Sequence, residues 1–386
     1  MMTILGVLDW ILFVILLVPG IYFIFYALAS WFVPSRPVHK YPEFKEVIIL
    51  IPAYKADEVI LNTARSAVMQ DYPGDIMRVQ VISDGMSEET IEQLGKIPVE
   101  VLPVSFENSS KAKALARAVS CLGPNAADTV IILDADNVIG RTFVTRVVDA
   151  FQDGAVAIQA HRKAKNRNSS TAVLDAASEE INNSVFRAGH VAMGLPPALI
   201  GSGMAFDYSW FYDHIGRCTT SGEDKELELM LLEEGAAIDY LDDVYLFDEK
   251  TSSARGYYNQ RRRWIAAQFN CAVTALKRLP AAIRDRNYGL IDKLVQWLFP
   301  PRMVLAAVPL LMTVLYIVLG SPKFAKWFAL AFILIVSFIA ALPKKHKDGK
   351  LVKALLIAPL LAIMSFLNLF RIRGMRDRFI HTEHIR

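Results

Sequence analysis

"DTVIILDADN", Asp128 to Asn137, carries an apolar, β-branched run straight into two carboxylates, Asp134 and Asp136. A short apolar run bounded by polar residues is the pattern of a strand buried on both faces. Three more runs share it: "EVIILIPAY" (Glu46 to Tyr54), "RVQVISDG" (Arg78 to Gly85) and "GAVAIQAHR" (Gly154 to Arg162). Between them, "DEVILNTARSAVMQ" and "SKAKALARAVSCL" have apolar residues at helical spacing. Strand alternating with helix predicts a parallel α/β sheet covered on both faces. Ligands of such sheets bind outside the carboxyl ends of the strands. Tyr54, Asp84, Asp134 and Asp136 should therefore meet in one crevice.

Each strand end has a chemical and a bland reading. Asp134 and Asp136, two apart with Ala135 turned away, repel each other unless a cation lies between them or one stays protonated. Hard oxygen ligands suit Mg²⁺ or Mn²⁺, which accept one or two carboxylates plus substrate phosphates. The alternative is a solvated turn. Asp84-Gly85 permits a tight turn against a ligand, or is simply a turn. Tyr54 stacks on a base or caps its strand. Lys111 and Lys113 open a helix, where a lysine reaches a phosphate or faces solvent.

The second half of the domain adds two segments. In "IGSGMAF" the glycines around Ser202, Gly201 and Gly203, allow close backbone approach to a sugar or chain. "TSGEDKELELMLLEEG" places Glu223 and Asp224 at the start of a helix whose Leu227, Met230 and Leu231 face the core. Acids at a helix start are ordinary capping, and Glu223 is read that way.

Farther on, "YYNQRRRWIAAQ", Tyr257 to Gln268, sets three arginines beside a tryptophan. On a helix Gln260, Arg263 and Trp264 fall at i, i+3 and i+4 and share a face. Arg261 and Arg262 are expected on another face, towards anionic headgroups.

The bulk numbers say where this domain sits. Of 386 residues 53% are hydrophobic, the mean hydropathy is +0.31, and the apolar excess lies at the two ends. A net charge of +3 does not suggest a nucleic-acid binder. Cys121, Cys218 and Cys271 show no CxxC spacing, so neither a disulfide framework nor a zinc site is indicated. From Ile4 to Val33 only Asp9 is charged, long enough to cross a bilayer of roughly 30 Å. "ALAS" (Ala27 to Ser30) lacks the positive n-region of a cleaved signal. Arg36 and Lys40 come directly after the segment, which puts the domain beyond them in the cytoplasm. Three more apolar stretches, 295–319, 324–342 and 351–370, close the chain. The basic "PKKHKDGK" and "RIRGMRDRF" both want the cytoplasmic side although one crossing separates them. One stretch should then be interrupted or re-entrant, at "WLFPP" (Pro300, Pro301) or at Pro359. The expected division is a membrane helix over 1–33, a cytoplasmic domain over 34–285 and a membrane region over 286–386.

Taken in order, IPAY, SDG, SKAKAL, DAD, GSGMAF, GED and QRRRW resemble the membrane-bound family-2 glycosyltransferases, which include cellulose, chitin and hyaluronan synthases. The resemblance runs from Val47 to Trp264. It implies a GT-A (Rossmann-like) α/β domain beside α-helical transmembrane segments, in a bacterial inner membrane, with a UDP-sugar donor and Mg²⁺ or Mn²⁺. By motif, Tyr54 and Asp84 contact the nucleoside and Lys111 the uridine or phosphate region. Asp134 and Asp136 form the DxD pair, Asp136 being the more direct metal ligand. Asp224 matches the general base of "TED". Gln260, Arg263 and Trp264 match QxxRW, with Arg263 at the diphosphate and Trp264 under the acceptor sugar. Gly201, Ser202 and Gly203 fall on the acceptor side. The family's Gly-Lys-Ala-x-Ala-Leu-Asn is here Ser110 to Ala116, and "TED" is "GED". "FIHTEH" (Phe379 to His384) loosely resembles the tail of some bacterial members. The reading this supports is an inverting transferase extending a β-linked polysaccharide. The alternative is single addition to a membrane lipid, as in ceramide glucosyltransferase-like enzymes, because few crossings make a poor polymer channel. Such a channel would call for a second copy or an export partner. An inactive GT-A-like scaffold is the third option, and the intact acids count against it.

Overall fold

The computed structural model describes residues 4–36, 38–39, 43–220 and 222–370. Lys40, "RIRGMRDRF" and "FIHTEH" lie outside them.

Eight strands form one sheet: β1 (Val47–Tyr54), β2 (Met77–Asp84), β3 (Glu100–Val104), β4 (Thr129–Ile132), β5 (Val138–Ile139), β6 (Ala157–Ala164), β7 (Met204–Asp207) and β8 (Ile238–Asp248). Their order is β3-β2-β1-β4-β7-β6-β8-β5. The apolar runs become strands because alternate side chains enter two different cores. Ile48, Leu50, Ile82, Val130 and Ile132 pack on one face. Val47, Ile49, Ile51, Val79, Val81 and Ile131 pack on the other.

The expected parallel sheet holds for the four runs read from the sequence: β1, β2, β4 and β6 all run in one direction. β3, β2, β1 and β4 are parallel. The short β7 then inserts antiparallel between β4 and β6, and β5 pairs antiparallel with β8. The sheet is mixed. β7 follows a glycine turn in which Gly201 and Gly203 have φ of +83° and +62°, where most L-residues would be strained.

Register decides what meets at the strand ends. Tyr54 pairs with Asp84 across β1 and β2, and Leu50 with Ile132 across β1 and β4. The DAD turn therefore emerges beside Tyr54 and Asp84. The helix Lys111–Leu122 starts at Ser110, whose hydroxyl accepts from the Lys113 N–H, and so points Lys111 at the same edge.

Among the described residues, three helical segments are long and apolar enough to cross a membrane: Ile4–Phe32, Phe324–Ala341 and Gly349–Asn368. A fourth candidate is a broken pair, Tyr288–Trp297 and Arg302–Val318, bent by 60°. The break falls at WLFPP, where two prolines remove backbone donors. Before Pro359 the last segment tightens into a 3-10 turn over Leu355–Ile357. Domain and bundle share a third core. Leu16, Phe23 and Ala27 of the first helix pack with Ala177 and Ile181 of the helix Ser170–Asn183 and with Leu305, Trp327 and Leu334. Asp9, the one charge on the first helix, is buried and bonded to Lys326 and to the Trp327 indole and Tyr316 hydroxyl, both at 2.9 Å. A buried carboxylate on an apolar helix needs such partners.

Candidate active site

A single cavity of about 1340 Å³ begins at the strand ends and continues between the apolar helices. Tyr54, Asp84, Lys111, Asp134 and Asp136 line its sheet end, and Leu12, Phe338, Leu355 and Phe366 its far end. The QRRRW helix, Ala254–Arg284, lies along the length between them.

At the sheet end the carboxylates are held by donors of the chain itself. Lys111 Nζ reaches Asp134 at 2.5 Å and Glu223 at 3.5 Å, and also bonds the Gly201 carbonyl. Burial would lower the Lys111 pKa, but Asp134 and Glu223 more than reverse it and raise it. The Asp136 carboxylate accepts from the Glu249 N–H at 3.1 Å and the Asn137 amide at 3.0 Å. Asp134 is more open, its side chain 39% exposed. Two carboxylates in a cavity wall, one of them open, make a hard-oxygen donor set that fits Mg²⁺ or Mn²⁺ alongside substrate phosphates.

Glu223 and Asp224 begin the helix Glu223–Glu234, both in the cavity wall. Asp224 Oδ1 accepts from the Lys225 N–H at 2.9 Å. Glu223 is not the solvent-facing cap expected of it. It is 5% exposed, and burial, with Asp224 nearby and Lys111 opposing, pushes its carboxyl up to about 7. Sequence alone carries no signal for this, because buried and exposed acids at a helix start look the same. The approach is close at Gly201 and tight at Gly222. A Cβ on Gly201 would meet Asp224, Glu223 and Lys111 at 3.7–3.8 Å, and one on Gly222 would sit 2.7 Å from the Ala267 Cβ. Gly222 thus seats the two acids directly against the QRRRW helix.

Gln260, Arg263 and Trp264 all line the cavity, and so does Arg261. Arg261 therefore does not face headgroups. It is paired with Asp175 at 2.6 Å and lies over the Tyr257 and Trp264 rings at 4.9 and 4.6 Å. The spacing itself accounts for this: Tyr257, Arg261 and Trp264 are at i, i+4 and i+7, one stripe of a helix. Arg262 is half-buried and outside the cavity wall.

Of the glycine turn only Gly201 reaches the cavity. Ser202 is fully buried and donates to the Asn137 side chain, and a Cβ on Gly203 would collide with Leu246. Those two residues shape the turn from behind. Met230, expected in the core, is half-buried, while Leu227, Leu231 and Leu232 are buried.

Sequence reasoning also missed a buried ionic cluster beside Arg261. Glu179 takes Arg162 at 2.7 Å, Arg187 at 3.3 Å and Lys250 at 3.6 Å. Asp248 takes Lys250 at 2.9 Å and Arg162 at 3.6 Å. Burial would raise Glu179, but Arg162, Lys250 and Arg187 hold it well below the usual carboxylate range.

Strand ends bearing paired acids, a lysine bridging Asp134 to Glu223 and an arginine-tryptophan helix across the crevice share one cavity wall. Residues 42–267, more than half of the chain, match the family model "Glycosyltransferase like family 2", and the chain belongs to that family. Among curated relatives, an N-acetylglucosaminyltransferase of Rhizobium meliloti (strain 1021) is 25% identical over 267 residues, 64% of this chain and 61% of the relative. Another of Sinorhizobium fredii (strain NBRC 101917 / NGR234) is 25% identical over 299 residues, 70% of this chain and 68% of the relative. The chain thus spans about three-fifths of the length of the Rhizobium meliloti protein. Among solved structures, the mannosyltransferase PcManGT of Pyrobaculum calidifontis, in complex with GDP-Man and Mn2+, superposes with a TM-score of 0.52 at 15% identity. That match covers 85% of this chain and 97% of PcManGT. The fold is GT-A, with apolar helices at both ends of the chain.

Proposed function

We propose that the chain is an inverting, divalent-cation-dependent transferase moving a sugar, N-acetylglucosamine by similarity to its relatives, from a UDP-sugar to a hydroxyl of a membrane lipid. One observation carries the choice of acceptor: the cavity that starts at the acids is lined farther on by the apolar helices. A polysaccharide track needs hydrogen-bonding groups and flat aromatic faces along its length. The far end here is lined by Leu12, Ile15, Ile335, Ile339 and Leu355 together with Phe338 and Phe366, an apolar wall that suits an acyl or prenyl chain. Extension of a polysaccharide is the second reading, favoured by Trp264 in the wall as a floor for a sugar ring.

In this mechanism Tyr54 and Asp84 hold the nucleoside, and Lys111 and Arg263 face the diphosphate. Asp134 and Asp136 would hold Mg²⁺ or Mn²⁺, which supplies charge stabilisation to the departing UDP. Asp224 accepts the proton of the acceptor hydroxyl as its oxygen bonds to the anomeric carbon. The bond from that carbon to the diphosphate breaks on the opposite face, inverting the centre. Such a base contributes about 10² to 10⁴ in rate. Glu223, next to Lys111, sets the charge that the lysine presents. Under this proposal the domain is cytoplasmic and the helices lie in the plasma membrane of a bacterium.

The test is incubation of purified protein with radiolabelled UDP-N-acetylglucosamine and total membrane lipid, followed by organic extraction. Label in a single-sugar product in the organic phase supports the proposal. Label in water-soluble or insoluble material of growing size would support the polysaccharide reading instead.

A further inference from the structure

The ionic cluster is out of balance. Arg162, Arg187, Lys250, Arg261 and Arg302 crowd around Glu179, Asp248 and Asp175, five cations against three carboxylates. The surplus gathers at one point. Ser178 Oγ accepts from Arg302 at 2.5 Å and from Arg261 at 3.1 Å, so two guanidiniums converge on one hydroxyl. Asp175 serves Arg261, whereas Arg302 makes no ion pair among the described residues and otherwise donates to the Ser178 carbonyl. The Arg261 Nε is buried with no hydrogen-bond acceptor there. Converging cations away from bulk water are costly unless an anion completes the set.

The place of this surplus says what the anion is attached to. Arg302 is the first residue of the helix Arg302–Val318, just past the WLFPP break, and it lines the cavity. Val304, Ala306 and Val308 of the same helix continue that wall in apolar form. A ligand spanning both would have an anionic head at Arg302 and Arg261 and a hydrocarbon tail among the helices. Guanidinium forks match phosphate oxygens in geometry as well as charge.

We infer that Arg302 and Arg261 form a subsite for the phosphate of a lipid-borne acceptor, a phosphate ester that joins a hydroxyl-bearing head to a long hydrocarbon chain. This rests on the lipid reading of the acceptor. Asp175 and Ser178 then position the arginines, and the tail runs along the apolar wall. The donor's own diphosphate is a separate anion, expected at Lys111 and the DAD turn.

Titration of the full-length protein in neutral detergent micelles, followed by tryptophan fluorescence, tests this with three probes: farnesyl phosphate, farnesol and inorganic phosphate. Farnesyl phosphate should bind well above the other two. Arg302→Gln should weaken it by about ten- to a hundred-fold, the worth of charge-assisted hydrogen bonds. Arg302→Lys should restore part of that loss by keeping the charge. Equal binding of farnesol would overturn the subsite, as would equal binding of inorganic phosphate, since a free anion needs no tail. UDP affinity, measured with Mg²⁺ on the same samples, separates the sources. If Arg302→Gln loses UDP as it loses farnesyl phosphate, the cluster serves the donor and the inference fails. If farnesyl phosphate binds as expected while no sugar reaches any lipid, the subsite stands and the proposed reaction falls. The wild-type comparison of the three probes decides the matter even if a variant does not fold.

Discussion

The two ends of the cavity carry opposite surpluses. At the sheet end Asp84, Asp134, Asp136, Glu223 and Asp224 line the wall against two lysines, Lys111 shared between Asp134 and Glu223 and Lys225 at 3.8 Å from Asp224. Beside the apolar helices, arginines outnumber their carboxylates and two of them share a serine. Both arrangements are costly for an empty protein and become sensible with ligands of the opposite sign. A region short of positive charge calls for a metal, and one short of negative charge for a phosphate. The lesson is that net charge inside one cavity can vary with position and mark separate ligands.

The largest effect should come from the acid-rich end. Asp136→Asn, or excess EDTA on the wild type, should abolish transfer, with metal-dependent UDP binding lost in parallel. Full turnover in EDTA would remove the metal from that end and with it half of the comparison. Asp224→Asn should cut transfer by about 10²-fold or more while UDP-sugar affinity holds. Loss of donor binding with the residual rate intact would make Asp224 a ligand contact.

At the cationic end the first consequence is stability. Arg261→Ala strands Asp175, whose side chain is 4% exposed, and should cost about 3 kcal/mol, read as a fall in Tm. Arg284→Ala removes an exposed pair with Asp285 and should leave Tm where it is. Equal behaviour of the two would mean that the Arg261 pair is not buried as described.

A smaller effect concerns pH. Glu223 is held near 7 when folded, against an ordinary value of 4.5. The folded state then binds the proton more tightly. The stability this contributes is fully present below 4.5 and is lost as pH rises towards 7. Glu223→Gln should flatten the decline of Tm between those values. An unchanged slope would place its source elsewhere.

The four apolar runs revealed their strands because a strand buried on both faces has few polar positions to blur it. β7 and β8 did not stand out. β7 is four residues behind a glycine turn, and β8, "IDYLDDVYLFD", carries acids at Asp239, Asp242 and Asp243. Its register against β6 also shifts at Ala160 and His161, which breaks simple alternation. The crevice residues Tyr54, Asp84, Asp134 and Asp136 were readable because they sit where strands stop. The ionic cluster beside the apolar helices was not, since Asp175, Ser178 and Glu179 lie on a helix far in sequence from Arg261 and Arg302. Only tertiary packing brings them together. Arg261 was within reach of helical periodicity, three residues before Trp264, but belongs to the crevice-facing stripe.

The central claim is that one cavity carries a lipid acceptor from the apolar helices to the acids. Ala306, on the helix Arg302–Val318, lines that cavity, so Ala306→Trp should obstruct the path without touching the strand ends. Measured with radiolabelled UDP-N-acetylglucosamine and membrane lipid, the variant should lose incorporation into the organic phase while UDP affinity stays at the wild-type value. Wild-type incorporation in a folded Ala306→Trp protein would contradict the account, because the acceptor would then reach Asp224 by another route.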